Sequence, residues 1–145
     1  MNYANKNSKT FCVMPYLSLA TEPSGKVKIC CHSRNVLEID KKPASLSNAS
    51  LEEFWNCDTV NEIRTALNNG ELHPNCKLCW KEEASGYVSK RIRDNKMHQE
   101  LMNDNFDAPK ILDLKLGNKC NIACRTCGSH SSTGWVEEEI FLGDE

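Results

Sequence analysis

Three thiols stand within eight residues, Cys120, Cys124 and Cys127 of "KCNIACRTC", in the spacing C-x3-C-x2-C, and six more cysteines precede them. Thiolates are soft ligands for zinc and for iron–sulfur clusters. Four of them close the coordination of either group. Three on one tight loop hold three irons of a [4Fe–4S] cube and leave the fourth open. An open iron is a place for chemistry, as the open position of catalytic zinc is. On a zinc reading the fourth ligand at hand is His130, three residues past Cys127.

The remaining cysteines are Cys12, the neighbours Cys30 and Cys31, Cys57, and the pair Cys76-x2-Cys79. Nine is an odd number, and the opening "MNYANKNSKTF" lacks the apolar core of a secretory signal. A disulfide framework is therefore not expected, and clustered cysteines in a reducing compartment point to metal. The expected location is cytoplasmic, since no apolar run is long enough to span a bilayer. With 39% hydrophobic and 26% charged residues the chain reads as globular. A net charge of −2 gives no electrostatic case for a nucleic-acid or membrane partner.

Three blocks must position these thiols. Residues 11–31 read as a β-hairpin, with "YLSLAT" and "KVKICC" flanking the turn "EPSG". Pairing Glu22 with Gly25 sets Leu17 opposite Cys30. Residues 32–48 read as an irregular connection. A helix follows from the capping box Ser50-x-x-Glu53 to Gly70, with Leu51, Phe54, Trp55, Ile63 and Leu67 as its apolar face. Cys76 and Cys79 open a short helical run that Gly86 interrupts. Residues 87–104 are expected to form another helix, striped by Val88, Ile92 and Leu101. Asp107-Ala108-Pro109 ends it and divides residues 1–108 from 109–145. In the last block Leu112, Leu114 and Leu116 alternate with Asp113 and Lys115 as in a strand, and a helix is expected over 131–141. Strand, cysteine loop and helix stand in the order of a β/α unit.

At this point the residues resemble the radical S-adenosylmethionine (radical SAM) superfamily. Its C-x3-C-x2-C signature lies on the loop after the first strand of a partial β/α barrel, here Cys120, Cys124 and Cys127 after "ILDLKLG". The family's aromatic residue before the third cysteine is Thr126 in this chain. The resemblance implies an α+β chain, a small hairpin-plus-helices cluster domain followed by the first β/α unit of a (β/α)6 barrel. It also implies reductive cleavage of S-adenosylmethionine at a [4Fe–4S] cluster to a 5′-deoxyadenosyl radical that abstracts hydrogen, with a lean toward peptide modification. A flavodoxin or ferredoxin would supply the electron. The second strand's "GGE" segment and the later strands are not in the sequence, so the chain is expected to be the N-terminal part of a longer or split enzyme, inactive alone.

Cys12-x12-Gly25-x4-Cys30 and Cys76-x2-Cys79 are similar to the SPASM/twitch pattern, which binds an auxiliary [4Fe–4S] cluster. By that resemblance Cys12, Cys30, Cys76 and Cys79 are the auxiliary ligands, in the one-cluster twitch form, and the cluster carries electrons or organises structure. Cys31 is the alternative to Cys30. Strand alternation groups Cys31 with Val27 and Ile29, as a buried residue, while Cys30 lies with Lys26 and Lys28. Cys57 is expected in the core. His32 and His73 read as surface groups beside ligands, and Glu82 and Glu83 as charges in the first turns of a helix. "SKRIRDNK" reads as a solvated face, with Arg91 or Arg93 as a contact for an anionic substrate. Two other classes stay open: a zinc-binding structural module, and a small iron–sulfur electron carrier.

Overall fold

The computed structural model describes residues 4–103 and 105–143. Pro15 opens a single helical turn, Met14–Leu17 (α1), where its missing N–H and fixed φ are tolerated. The chain then extends as Ser18–Thr21 (β1), turns, and returns antiparallel as Val27–Lys28 (β2), with Ala20 opposite Lys28 and Thr21 opposite Val27. This register is one residue longer than the sequence pattern implies. Glu22 N donates to Lys26 O at 2.9 Å, which closes a three-residue loop. Gly25 ends that loop at φ +80°, the left-handed conformation such loops require and a side chain resists. Leu17 therefore lies in α1 rather than opposite Cys30.

The segment expected to be irregular contains a second hairpin, Glu38–Ile39 (β3) with Lys42–Pro43 (β4). Its two turn residues, Asp40 and Lys41, both have positive φ, 51° and 61°, as in a type I′ turn. Leu37 N donates to Val27 O and Val27 N to Ala44 O, so this hairpin closes over the first.

The capping box is present. Ser50 Oγ accepts from Glu53 N, and Ser50 N donates to Glu53 Oε2 at 2.7 Å. Replacing Ser50 with alanine removes one of these bonds and should lower stability by about 1 kcal/mol, read from a urea unfolding curve. The helix breaks where continuity was expected. Leu51–Asn56 (α2) ends at Cys57, whose backbone is extended (φ −65°, ψ 158°) and starts Asp58–Asn68 (α3). Phe54 and Trp55 of α2 and Val60, Ile63 and Leu67 of α3 are buried with Val13, Tyr16 and Leu17 in one core, whereas Leu51 is exposed.

A 3-10 turn, Pro74–Cys76, leads into Lys77–Ala84 (α4), and Lys90–Met97 (α5) follows. The helix expected over 87–104 is thus shorter, and Val88 and Ile92 are exposed rather than forming a buried stripe. A polar face docks α5 instead. Asn95 Oδ1 accepts from Val13 N at 2.8 Å, while Asn95 Nδ2 and Arg91 Nη1 donate to Phe11 O at 2.9 and 2.8 Å.

Ile111–Asp113 (β5) pairs parallel with β1, Leu19 opposite Leu112, giving a three-stranded sheet in the order β2-β1-β5. The strand expected to open the last block thus belongs to the hairpin's sheet. Thr21 Oγ1 accepts from Lys115 N at 2.7 Å and ends the pairing. After the cysteine loop come a 3-10 turn, Thr133–Trp135, and Val136–Leu142 (α6). The fold is mixed α and β, and no helix among the described residues is long and apolar enough to cross a membrane.

Candidate metal centres

Four cysteines from three separate segments lie within electrostatic reach of one another. Cys12 precedes α1, Cys30 follows β2, Cys76 ends the 3-10 turn and Cys79 lies one turn into α4. Cys12 and Cys79 are each 8% exposed, and Cys30 and Cys76 are half-buried against the core. Burial pushes the Cys12 thiol well above its ordinary value, and the thiols of Cys30, Cys76 and Cys79 push it further. Burial likewise raises Cys76 to about 12, with Cys30 and Cys79 adding to the shift. Cys30 rises to about 11, again chiefly through burial, with Cys31 and Cys79 contributing. Cys79 is raised by burial as well.

The four side chains therefore stand within one another's field, and without metal they hold their protons. Their ionised forms would repel one another in a site that excludes water. A cationic metal group removes that repulsion, and its binding releases the thiol protons, so loading strengthens as pH rises. Sulfur donors gathered in this way are the donor set of an iron–sulfur cluster, and one carboxylate, that of Glu82, stands beside Cys79.

The backbone at Cys12 is held by residues that hydrophobic periodicity does not reveal. Asn95 and Arg91 clamp Phe11 and Val13 on either side of it. Arg91 is in turn fixed by Glu83, with Nη2–Oε2 at 2.6 Å and Nε–Oε1 at 2.9 Å, and its guanidinium lies over the Trp80 ring at 5.1 Å. It is thus engaged inside the fold instead of facing solvent, while Arg93 is exposed. Glu82 and Glu83 sit in the last turn of α4, so the helix dipole does not explain them. The Glu83 carboxyl is held below its ordinary value by hydrogen bonds from Arg91 and Ser89, against the opposing effect of burial. His73 caps the 3-10 turn, its Nδ1 accepting from Asn75 N at 3.2 Å.

Cys31 is exposed, and the expectation that it is buried beside Val27 and Ile29 is not met. β2 ends at Lys28, so strand alternation stops before the cysteine pair. Cys31 faces a cleft of about 630 Å³ that it shares with Thr21, Lys28, Lys115, Asn118 and His130. Cys57 is half-buried against the core at the junction of α2 and α3.

Cys120, Cys124 and Cys127 lie on the loop between β5 and the last 3-10 turn, Cys120 half-buried and the other two exposed. Hydrogen bonds to the following segment shape the loop. Thr133 Oγ1 and Gly134 N donate to Cys120 O at 2.9 and 3.0 Å, and Trp135 Nε1 donates to Cys124 O at 3.0 Å. Ser132, 1% exposed, places its hydroxyl 2.7 Å from Ile122 O. The Ser/Thr-rich run "SSTGW" is the sequence signal for such local backbone bonding. Cys127 N donates to Cys124 O, closing a turn between the second and third thiols. Gly128 follows in a tight place, where a Cβ would stand 3.0 Å from Glu139 Oε1 and the carboxylate would have to shift. That carboxylate accepts from Ser129 N at 2.8 Å and so ties α6 to the loop.

Against known proteins, the family SPASM, an iron–sulfur cluster-binding domain, matches residues 12–80. The match begins at Cys12, ends just past Cys79, and spans all four converging thiols. No curated protein and no solved structure matches the chain.

Proposed function

We propose that this chain forms the N-terminal portion of a radical SAM enzyme of the cytoplasm, with an auxiliary [4Fe–4S] cluster on Cys12, Cys30, Cys76 and Cys79. A second [4Fe–4S] cluster would sit on Cys120, Cys124 and Cys127 and bind S-adenosylmethionine at its open iron. The observation that carries the reading is the match to an iron–sulfur cluster-binding domain over the residues that bring four thiols together, followed by a strand and a three-cysteine loop. When bound, the second cluster supplies the electron for reductive cleavage of S-adenosylmethionine to a 5′-deoxyadenosyl radical, with a peptide as the substrate we favour.

The chain's own residues have separable tasks. Burial of Cys12 and Cys79 keeps water from the auxiliary site. The Arg91 side chain, close enough to lower the Cys76 and Cys79 thiols, offers positive charge to an anionic group there. Thr133, Gly134 and Trp135 hold the carbonyls of Cys120 and Cys124, which orients the loop. Cys124 and Cys127 remain open on the outside, as do Leu114 and Leu116 after β5 and Ile140 and Phe141 of α6. These are the surfaces a further β/α unit or a second chain would cover, bringing dryness to the loop.

The test is the iron, sulfide and zinc content of the anaerobically reconstituted chain beside a Cys120→Ala/Cys124→Ala/Cys127→Ala variant. About eight irons per chain in the first and about four in the second is the expected result, four for each cube. Little iron taken up by a chain stripped of zinc beforehand would overturn it. A change in the cluster's electron paramagnetic resonance on adding S-adenosylmethionine separates the enzyme from a simple electron carrier.

A further inference from the structure

The side chains of His32, Cys79 and Glu82 offer three different donor atoms that all lie within 4.8 Å of one another. His32 comes from the corner after Cys31. Cys79 and Glu82 are three residues apart on α4 and so share one of its faces. His32 Nδ1 and Glu82 Oε2 are both shut off from solvent and have no hydrogen-bond partner. Buried polar atoms are almost always paired, and two orphans on the side chains that flank one thiol call for a ligand.

We propose that His32, Cys79 and Glu82 form a binding site for a single divalent ion of the zinc type in the cluster-free protein. Its occupation withholds Cys79 from the auxiliary cluster. Nitrogen, sulfur and oxygen together are a zinc donor set, with bonds of about 2.0–2.3 Å, and three protein ligands leave a fourth position for water or a neighbouring thiol. Donors around one such tetrahedral ion stand about 3.3–3.8 Å apart, so side-chain rotations of about an ångström close the site. Binding displaces the thiol proton to solvent, and thiolate plus carboxylate then balance the ion's two charges. Magnesium and calcium are disfavoured, because they take oxygen ligands. Since Cys79 Sγ serves both sites, ion and cluster compete; only this competition rests on the proposed function above.

The test uses the full chain, metal-free and reduced, titrated with cobalt(II) and then with zinc. One cobalt per chain is expected, with the visible bands of a tetrahedral ion and a thiolate charge-transfer band, displaced by one equivalent of zinc. His32→Ala and Glu82→Gln should each weaken cobalt binding at least tenfold or so, the scale on which even an outer partner matters. Both should keep the wild-type iron content after reconstitution without zinc. Zinc added first should lower the iron taken up by the wild type and have less effect in His32→Ala. Absence of cobalt binding, or unchanged affinity in both variants, overturns the site. Glu82→Gln preserves shape, so a loss there is not a folding defect. Cobalt binding lost in these variants, in a chain that takes up no iron, would leave this site standing and sink the cluster reading.

Discussion

Exchanging Cys30 for alanine should leave the reconstituted chain about four irons short, whereas exchanging Cys31 should leave its iron content unchanged. The two residues are neighbours, so the contrast is sharp. Cys30 is half-buried, packs on the core and raises the thiols of Cys12 and Cys76 through space. Cys31 is exposed and opens on the cleft beside Lys115 and His130. On the proposed assignment, a cluster would lose one of its four protein ligands together with the half-buried side chain that shields it. Iron and sulfide assays on the two single variants read the difference directly. The reverse pattern would move the auxiliary site out to the cleft.

The second large effect is on the fold. Replacing Arg64 with alanine should lower the unfolding free energy of the metal-free protein by about 3 kcal/mol, read as a fall in the urea midpoint at unchanged slope. Arg64 is 4% exposed. Its Nε donates to Pro15 O at 2.9 Å and its Nη1 to Trp55 O at 3.2 Å. The guanidinium lies 4.4 Å above the Trp55 ring and 5.5 Å from the Tyr16 ring. Alanine orphans two buried carbonyls, at about 1–3 kcal/mol each, and removes the ring contacts, about 1–2 kcal/mol when desolvated. Part of this is offset by relief of the buried charge, a strain visible in the guanidinium's own value, which burial lowers to about 10. Arg64→Met keeps the aliphatic packing but orphans the same two carbonyls, so its loss should be only somewhat smaller. Pro15 stands three residues from Cys12, so the alanine variant also loosens the segment before α1 that presents that thiol.

The cysteine spacings, the capping box and the "EPSG" turn were legible in the sequence because each is a local pattern with a local cause. The exact register was not. It depends on Gly25 closing a three-residue loop, a choice that costs no change in composition. The β3–β4 hairpin escaped because Asp40-Lys41 adopts a turn ordinarily signalled by asparagine or glycine. The face of α5 is hidden from the pattern for a different reason. Apolar periodicity picks out Val88 and Ile92, but the helix is bound by Asn95 and Arg91 reaching backbone carbonyl and amide groups. Cys31 was expected inside because alternation was carried past the true end of β2. The approach of His32 and Glu82 to Cys79 joins segments some 50 residues apart, and no spacing rule reaches that far.

The parallel pairing of β5 with β1 has a consequence for the order of assembly. The Thr21–Lys115 bond at its end joins residues 94 apart, and the Asn95–Val13 bond beside Cys12 joins residues 82 apart, whereas the β1–β2 and β3–β4 hairpins close over loops of a few residues. Long-range pairings are made late, because loop closure must be met before their contacts form. The docking of α5 beside Cys12 therefore follows the local hairpins, and the pairing of β5 is a late step as well. The same step is the easiest to reverse, for β5 is largely exposed. Opening would travel back only to Phe106, which is buried and whose carbonyl accepts from Trp55 Nε1 at 2.9 Å. The segment after Phe106 is thus the part of the chain expected to open locally while the core around Trp55 stays packed.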